Sequence, residues 1–306
     1  MKKRYALLLS ALITTSALAD MRIGVTIAQF DDNFLTYLRE AMATQAKGMP
    51  DGVTLQFEDA RGDVVRQLSQ VESFIGQKVD AVIVTPVDTA ATRNITEQAT
   101  KAGIPLLYVN RRPQEKLPDG AVYIGSDEKL AGRLQMQYLA DKMGGKGNLA
   151  IMLGLLSNDA THGRTAGVKE VLAQYPEIKI VEEQTAEWQR DKGMNLMNDW
   201  LVSGRKIDAV SSNNDEMAIG AAMALRQSGT TSGKDIVIGG VDGTPDGLAA
   251  VKRGMLSATV FHDAKGQGKA AVETAVKMIK KESVPSVVDI PFELVTPDNV
   301  ESFTNR

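Results

Sequence analysis

Asn214 and Asp242 are the residues of this chain best placed to do chemistry on a small polar molecule. Each follows a short apolar run and precedes a helical window. Ala209-Val210-Ser211-Ser212 leads into Asn213-Asn214-Asp215-Glu216, and Val237-Ile238-Gly239-Gly240-Val241 leads into Asp242-Gly243-Thr244-Pro245. Open α/β folds bind ligands at such carboxyl edges of their strands. A carboxylate accepts two hydroxyl protons and an amide both gives and takes one, so this pair suits a neutral polyhydroxylated molecule. Asn110-Arg111 ends a third apolar run, Leu106-Leu107-Tyr108-Val109. A guanidinium there offers fixed planar donors whose charge does not titrate away. Asp242, at the end of an apolar strand, needs partners, and Arg111 or Arg164 with ligand hydroxyls would supply them.

Other chemistries lack their residues. Asp242 and His262 are the acid–base pair an enzyme would use, but there is no Ser-His-Asp order, no GxSxG, no GxGxxG after the first strand and no P-loop. A zinc site needs about three or four His, Cys or carboxylate ligands. This chain has two histidines, no HxxxH spacing and no cysteine. The expectation is therefore a binding protein with no catalytic residue, no cofactor and no metal.

The elements that must position these residues alternate. Candidate strands are 22–28, 53–58, 81–85, 106–109, 148–153, 178–183, 209–212, 235–239 and 258–261. Candidate helices are 33–46, 64–76, 90–102, 130–143, 165–174, 192–203, 216–227 and 266–281. Strand and helix in alternation imply βαβ crossovers and parallel sheets with helices on both faces. Ala81-Val82-Ile83-Val84 is apolar on both faces, as a buried parallel strand should be. Residues 22–110 and 148–242 each read as one β-α-β-α-β-α-β unit, so two similar lobes are expected.

The runs Ser212–Gly220 and Val241–Gly247 resemble the ribose-, pentose- and hexose-binding family of bacterial periplasmic proteins, the type I periplasmic binding proteins. Gln29-Phe30-Asp31-Asp32-Asn33-Phe34 and Tyr108-Val109-Asn110-Arg111 look like its inositol-binding branch. The resemblance spans essentially the whole chain after the first twenty residues. It implies two doubly wound parallel-sheet lobes joined by a three-strand hinge, with crossings near Gly125-Ser126, His262-Asp263 and Pro291. One lobe would comprise residues 20–125 plus 263–291, the other 126–262 plus 292–306.

The resemblance also implies site roles. Asp32 and Phe34 hold the positions of a polar residue and an aromatic that touch the sugar in relatives, while Asp31 is read as the helix cap. Where many relatives carry a second aromatic, this chain has Leu35. Arg111 matches an arginine that forks onto sugar oxygens, preceded by Asn110 where ribose binders have Asp. Arg164 aligns with a second ligand-binding arginine. Trp188 stands where pentose binders carry Phe and several hexose binders carry Trp, and its larger flat face favours a six-membered ring. His262 stands where ribose binders have Gln. Asn214 and Asp242 complete the wall, with Phe30, Asn158 and His162 as secondary candidates. The other tryptophan, Trp200, is mid-helix and read as core; Arg112 is read as a surface charge. Asn110, Trp188 and His262 all move the site away from ribose. The expected ligand is a cyclic hexitol, myo-inositol first, then a galactose- or glucose-type pyranose, then ribose.

The first residues read as a targeting segment. Lys2, Lys3 and Arg4 precede an apolar run from Ala6 to Ile13 and an Ala17-Leu18-Ala19 cleavage pattern. A run that short does not cross a bilayer. Residues 1–19 are thus expected to be a signal peptide, and the mature chain to be periplasmic. Removing its three cations from the 35 basic residues leaves 32 against 38 acidic ones, a net charge of −6. That excludes nucleic acid as an expected partner and argues against an anionic membrane surface. A sugar-responsive repressor would need an N-terminal helix-turn-helix and a basic face, and this chain has neither. The implied partners are a small-molecule ligand, a membrane ABC permease, and a chemoreceptor or sensor kinase, with the protein a monomer.

Overall fold

A computed structural model describes residues 20–50 and 52–306. The expected signal peptide at residues 1–19 lies outside them. The elements run β1 (Met21–Ile27), α1 (Asn33–Gly48), β2 (Val53–Asp59), α2 (Val64–Gly76), β3 (Ala81–Val84), α3 (Arg93–Ala102), β4 (Leu106–Val109) and β5 (Ala121–Gly125). They continue through α4 (Glu128–Lys142), β6 (Lys146–Leu153), α5 (Asp159–Leu172), β7 (Glu177–Thr185), α6 (Arg190–Val202), β8 (Ala209–Ser212), α7 (Asp215–Gln227) and β9 (Val237–Gly239). Last come α8 (Pro245–Lys252), β10 (Thr259–Phe261), α9 (Ala264–Ile279), β11 (Val287–Asp289) and β12 (Glu293–Val295).

These elements build two parallel sheets. The first has the order β11-β5-β4-β3-β1-β2, and every neighbouring pair in it is parallel. The second has the order β7-β6-β8-β9 and is also parallel throughout. Single parallel bridges, Gly239 to Ala258 and Asp242 to Phe261, attach β10 to it, and β10 pairs with β12 antiparallel. In both sheets the first strand of the lobe, β1 or β6, lies between its two successors. The winding direction reverses there, and such switch points open a crevice at the carboxyl ends of the strands.

Helices cover both faces. On one side of the first sheet, Ile83 and Leu107 pack with Leu38 and Met42 of α1 and Val272 of α9; on the other, Val82 and Tyr108 pack with Phe74 of α2 and Ile95 of α3. All four residues of β3 are therefore buried, which is why that strand is apolar on both faces. In the second lobe Trp200 is 2% exposed and lies in the core with Met217 and Val210, as expected.

Among the described residues the chain passes between lobes three times. Ser126-Asp127 leads from β5 to α4, His262-Asp263 leads from β10 to α9, and Ile290-Pro291-Phe292 leads from β11 to β12. The first and third crossings are tied together: Ile290 N–H donates to the Gly125 carbonyl at 2.8 Å, and the Ser126 hydroxyl donates to the Ile290 carbonyl. Within the second lobe α4 and α5 approach so closely that a Cβ on Gly132 would lie 1.9 Å from the Arg164 carbonyl oxygen. That approach brings Glu128, at the start of α4, beside Arg164.

Candidate functional site

All nine principal candidates line one cavity, together with Leu35 and Ala160. The cavity is small, and its empty space, open solvent included, is about 340 Å³. The first lobe contributes Asp32 and Phe34 from the start of α1, and Asn110 and Arg111 from the end of β4. The second contributes Arg164 from α5, Trp188 after β7, Asn214 after β8 and Asp242 after β9. His262 comes from the second crossing. Three of these residues, Asn110 (φ 70°), Trp188 (φ 69°) and Asp242 (φ 127°), hold positive φ without being glycine. Each such conformation costs on the order of 1–3 kcal/mol and persists only where its surroundings enforce it. Enforced strain at three wall positions marks the cavity as a built site.

On the first-lobe side Asp32 does two jobs. Its Oδ1 accepts the Leu35 N–H at 3.0 Å, capping α1, and its Oδ2 lies 3.6 Å from Arg111 Nη2. The expected cap, Asp31, is exposed and forms no cap; the capping residue is Asp32, whose extended backbone places it directly before α1. Burial raises Asp32 above the ordinary aspartate range, against the pull of Arg111. Arg111 is itself lowered by burial, with Asp32 opposing, and its Nη1 donates to the Pro86 carbonyl at 3.0 Å. Asn110 holds Gln267 through its amide, and its carbonyl accepts the Tyr123 hydroxyl.

On the second-lobe side the organiser is Arg164. Its Nε donates to Glu128 Oε2 at 2.7 Å and its Nη1 to the Asn213 carbonyl at 2.7 Å. Nη1 also lies 3.6 Å from Asp242 Oδ1, and Nη2 lies 3.5 Å from His262 Nδ1. Burial works against this charge, but Glu128 and Asp242 overcome it and hold the guanidinium above its ordinary range. Burial drives Asp242 well above the usual aspartate range despite Arg164, with Asp215 adding to the rise. Burial, then Arg164, pushes His262 well below the ordinary histidine range, so its ring is neutral at neutral pH. The 3.9 Å approach of His262 Nδ1 to Asp242 is therefore not an ion pair. Phe34 stacks on His262 with ring centroids 4.5 Å apart, and His262 meets Phe292 at 4.5 Å on its other side. Asn214 caps α7 by accepting the Met217 N–H and donates to the Trp188 carbonyl at 3.2 Å. At the mouth Asn33 Nδ2 donates across the cleft to Glu216 Oε1 at 2.8 Å, and Arg190 grips the same carboxylate.

Residues 23–283 match the model of a periplasmic binding protein domain. The chain is a periplasmic binding protein. A protein of Rhizobium meliloti named for rhizopine binding is 46% identical over 301 residues, which cover 97% of this chain and 96% of that one. A xylitol-binding protein of Mycolicibacterium smegmatis is 38% identical, over 92% of this chain and 78% of its own. An ABC transporter solute binding protein from Bacillus halodurans, solved with bound myo-inositol, superimposes with a TM-score of 0.89 at 42% identity, over 95% of this chain and 99% of that one. These relatives bind solutes rather than convert them, and this periplasmic binding protein is not an enzyme. It is of the sugar- and polyol-binding, ABC-transporter type.

The secondary candidates stand outside the cavity of this periplasmic binding protein. Phe30 lies under the Arg39 guanidinium, 4.1 Å from it. His162 is exposed and bonds the Leu156 carbonyl. Asn158 is fully buried behind Trp188 and bonds its indole. Arg112 is exposed, as expected. Sequence reasoning missed Glu128, Gln267 and Phe292, which set Arg164, Asn110 and His262. Only the charge of Glu128, the first residue of α4 beside the first crossing, offered a signal.

Proposed function

We propose that this protein captures a small neutral cyclic polyol, myo-inositol first, between its two lobes and presents the closed form to an ABC permease. Galactose- or glucose-type pyranoses rank second and ribose third. The observation that carries this reading is the polar wall itself. Asp32, Asn110, Arg111, Arg164, Asn214 and Asp242 converge from both lobes on one small cavity whose remaining lining includes Phe34 and Trp188. Carboxylates accept and guanidinium groups donate, so a ring bearing a hydroxyl on every carbon finds a partner for each. A hydroxyl left unpaired in such a site costs about 1–3 kcal/mol, which is how the wall discriminates among epimers. A cyclitol has no ring oxygen and no anomeric centre, and a site rich in hydroxyl acceptors suits it. The bound myo-inositol of the Bacillus halodurans relative supports the same choice.

The lobes are proposed to comprise residues 20–125 plus 263–291 and residues 126–262 plus 292–306, with residues 1–19 removed on export to the periplasm and the mature protein a monomer. A ligand shifts the equilibrium to the closed form only through its greater affinity for that form. Every inter-lobe contact is therefore part of the binding energy. Thermal unfolding in the presence of a polyol panel tests the reading. At 100 times its dissociation constant a true ligand stabilises by about 2.7 kcal/mol. A clear rise in Tm with myo-inositol and little with ribose is expected; a rise with ribose alone would overturn the ligand assignment.

A further inference from the structure

Asn158 reaches in two directions across the lobe boundary. Its Nδ2 donates to the Val87 carbonyl of the first lobe at 3.0 Å, and its Oδ1 accepts the Trp188 indole N–H of the second at 3.0 Å. Chemistry fixes that orientation, because an indole nitrogen only donates and a carbonyl oxygen only accepts. The side chain is completely buried. Beside it the Ser157 carbonyl accepts both the backbone N–H and the hydroxyl of Thr89, so two successive residues grip the first lobe. Trp188 needs an external hold. Its backbone sits at φ 69°, and its ring lies so close to Gly154 that a Cβ there would be 2.1 Å from the ring carbons.

We infer that Asn158 is a positioning residue that couples closure of the lobes to the placement of Trp188. The amide that clasps Val87 is the amide that orients the indole on the cavity wall. When the lobes part, the Val87 bond is lost and the amide enters water free to rotate, so the indole loses its fixed partner. When they close, the aromatic wall is ordered in the same step. The ligand is then held by a wall that its own release must first loosen. This inference rests on the proposed binding role of the cavity.

Three variants of the full mature chain separate the parts. Trp188→Phe identifies the Trp188 signal among the two indole N–H resonances of the protein. Asn158→Ala removes both contacts. Asn158→Asp keeps an acceptor for the indole but sets a carboxylate oxygen against the Val87 carbonyl. Asn158→Ala is expected to move the Trp188 indole resonance away from its hydrogen-bonded position, whereas Asn158→Asp leaves it bonded. Both are expected to speed release of myo-inositol about tenfold, the scale of one buried hydrogen bond, with the association rate little changed. An unmoved indole resonance in Asn158→Ala, or wild-type release from Asn158→Asp, would overturn the inference. The resonance is read on protein held closed by whichever polyol of the panel binds, so it judges the link to Trp188 even where myo-inositol is the wrong polyol.

Discussion

Glu128 Oε2 accepts the Arg164 Nε–H at 2.7 Å, with both side chains buried, and that bond aims the guanidinium at Asp242 and His262. Glu128 touches the cavity only through this partner. Removing one member of a buried pair strands the other charge at a cost of about 3–5 kcal/mol. Glu128→Ala is therefore expected to lower unfolding free energy by that amount in urea and to weaken ligand binding. A variant as stable as the wild type would show that Arg164 does not depend on this carboxylate.

Asp32 separates a structural duty from a binding one. Asparagine caps helices as well as aspartate does, whereas alanine costs about 1 kcal/mol. Asp32→Asn is expected to keep the α1 cap yet lose at least tenfold in affinity, because it removes an anionic acceptor facing Arg111. Asp32→Ala is expected to lose both. Equal affinity in wild type and Asp32→Asn, measured by calorimetry, would confine the residue to capping.

Gly154 is fixed by the ring that covers it. With a Cβ 2.1 Å from Trp188 carbons, Gly154→Ala must displace the indole. Overpacking of this kind costs about 1–3 kcal/mol. Affinity is expected to fall more than tenfold, and the intrinsic fluorescence of Trp188 to change with it. Unaltered fluorescence and affinity would mean that the indole has room to move.

Closure should respond to pH through Asp159. This residue opens α5 at the lobe boundary and is pushed up to about 7 by burial first and then by Glu128. A carboxyl raised in the closed form binds a proton there that an ordinary aspartate, near 3.9, releases. Closure then takes up a proton, so its stabilisation is full below about pH 4 and is lost as pH rises through about 7. Affinity is expected to fall by more than about tenfold from about pH 5 to 7, and Asp159→Asn to flatten that slope. An identical slope in the variant would assign the effect to another group.

Much of this was legible because strand ends announce themselves. β4 and β8 fall at their expected limits because each run stops just before polar residues that line the cavity, and α2 falls at its limits too. β11 and β12 are three residues each, too short to show alternation, and β5 is stabilised by the neighbouring strands it pairs with. α8 hid in a Gly- and Pro-containing run; its signal was Thr244 before Pro245, a cap followed by a residue pre-set for the first helical turn. α5 begins at Asp159 rather than Thr165, because Gly163 obscured a first turn that Asp159 favours through the helix dipole. The cavity lining was readable, but its supports were not. Glu128, Gln267 and Phe292 matter only through tertiary neighbours that no local pattern reveals.

The most direct test is calorimetric titration of residues 20–306, unfolded and refolded to remove carried-over ligand, with myo-inositol, galactose, glucose and ribose. Tight binding of one myo-inositol per chain, with little heat from ribose, is the predicted result. Binding of an aldose with none of myo-inositol would contradict the cyclitol assignment, and silence from folded protein across the panel would contradict the polyol wall itself.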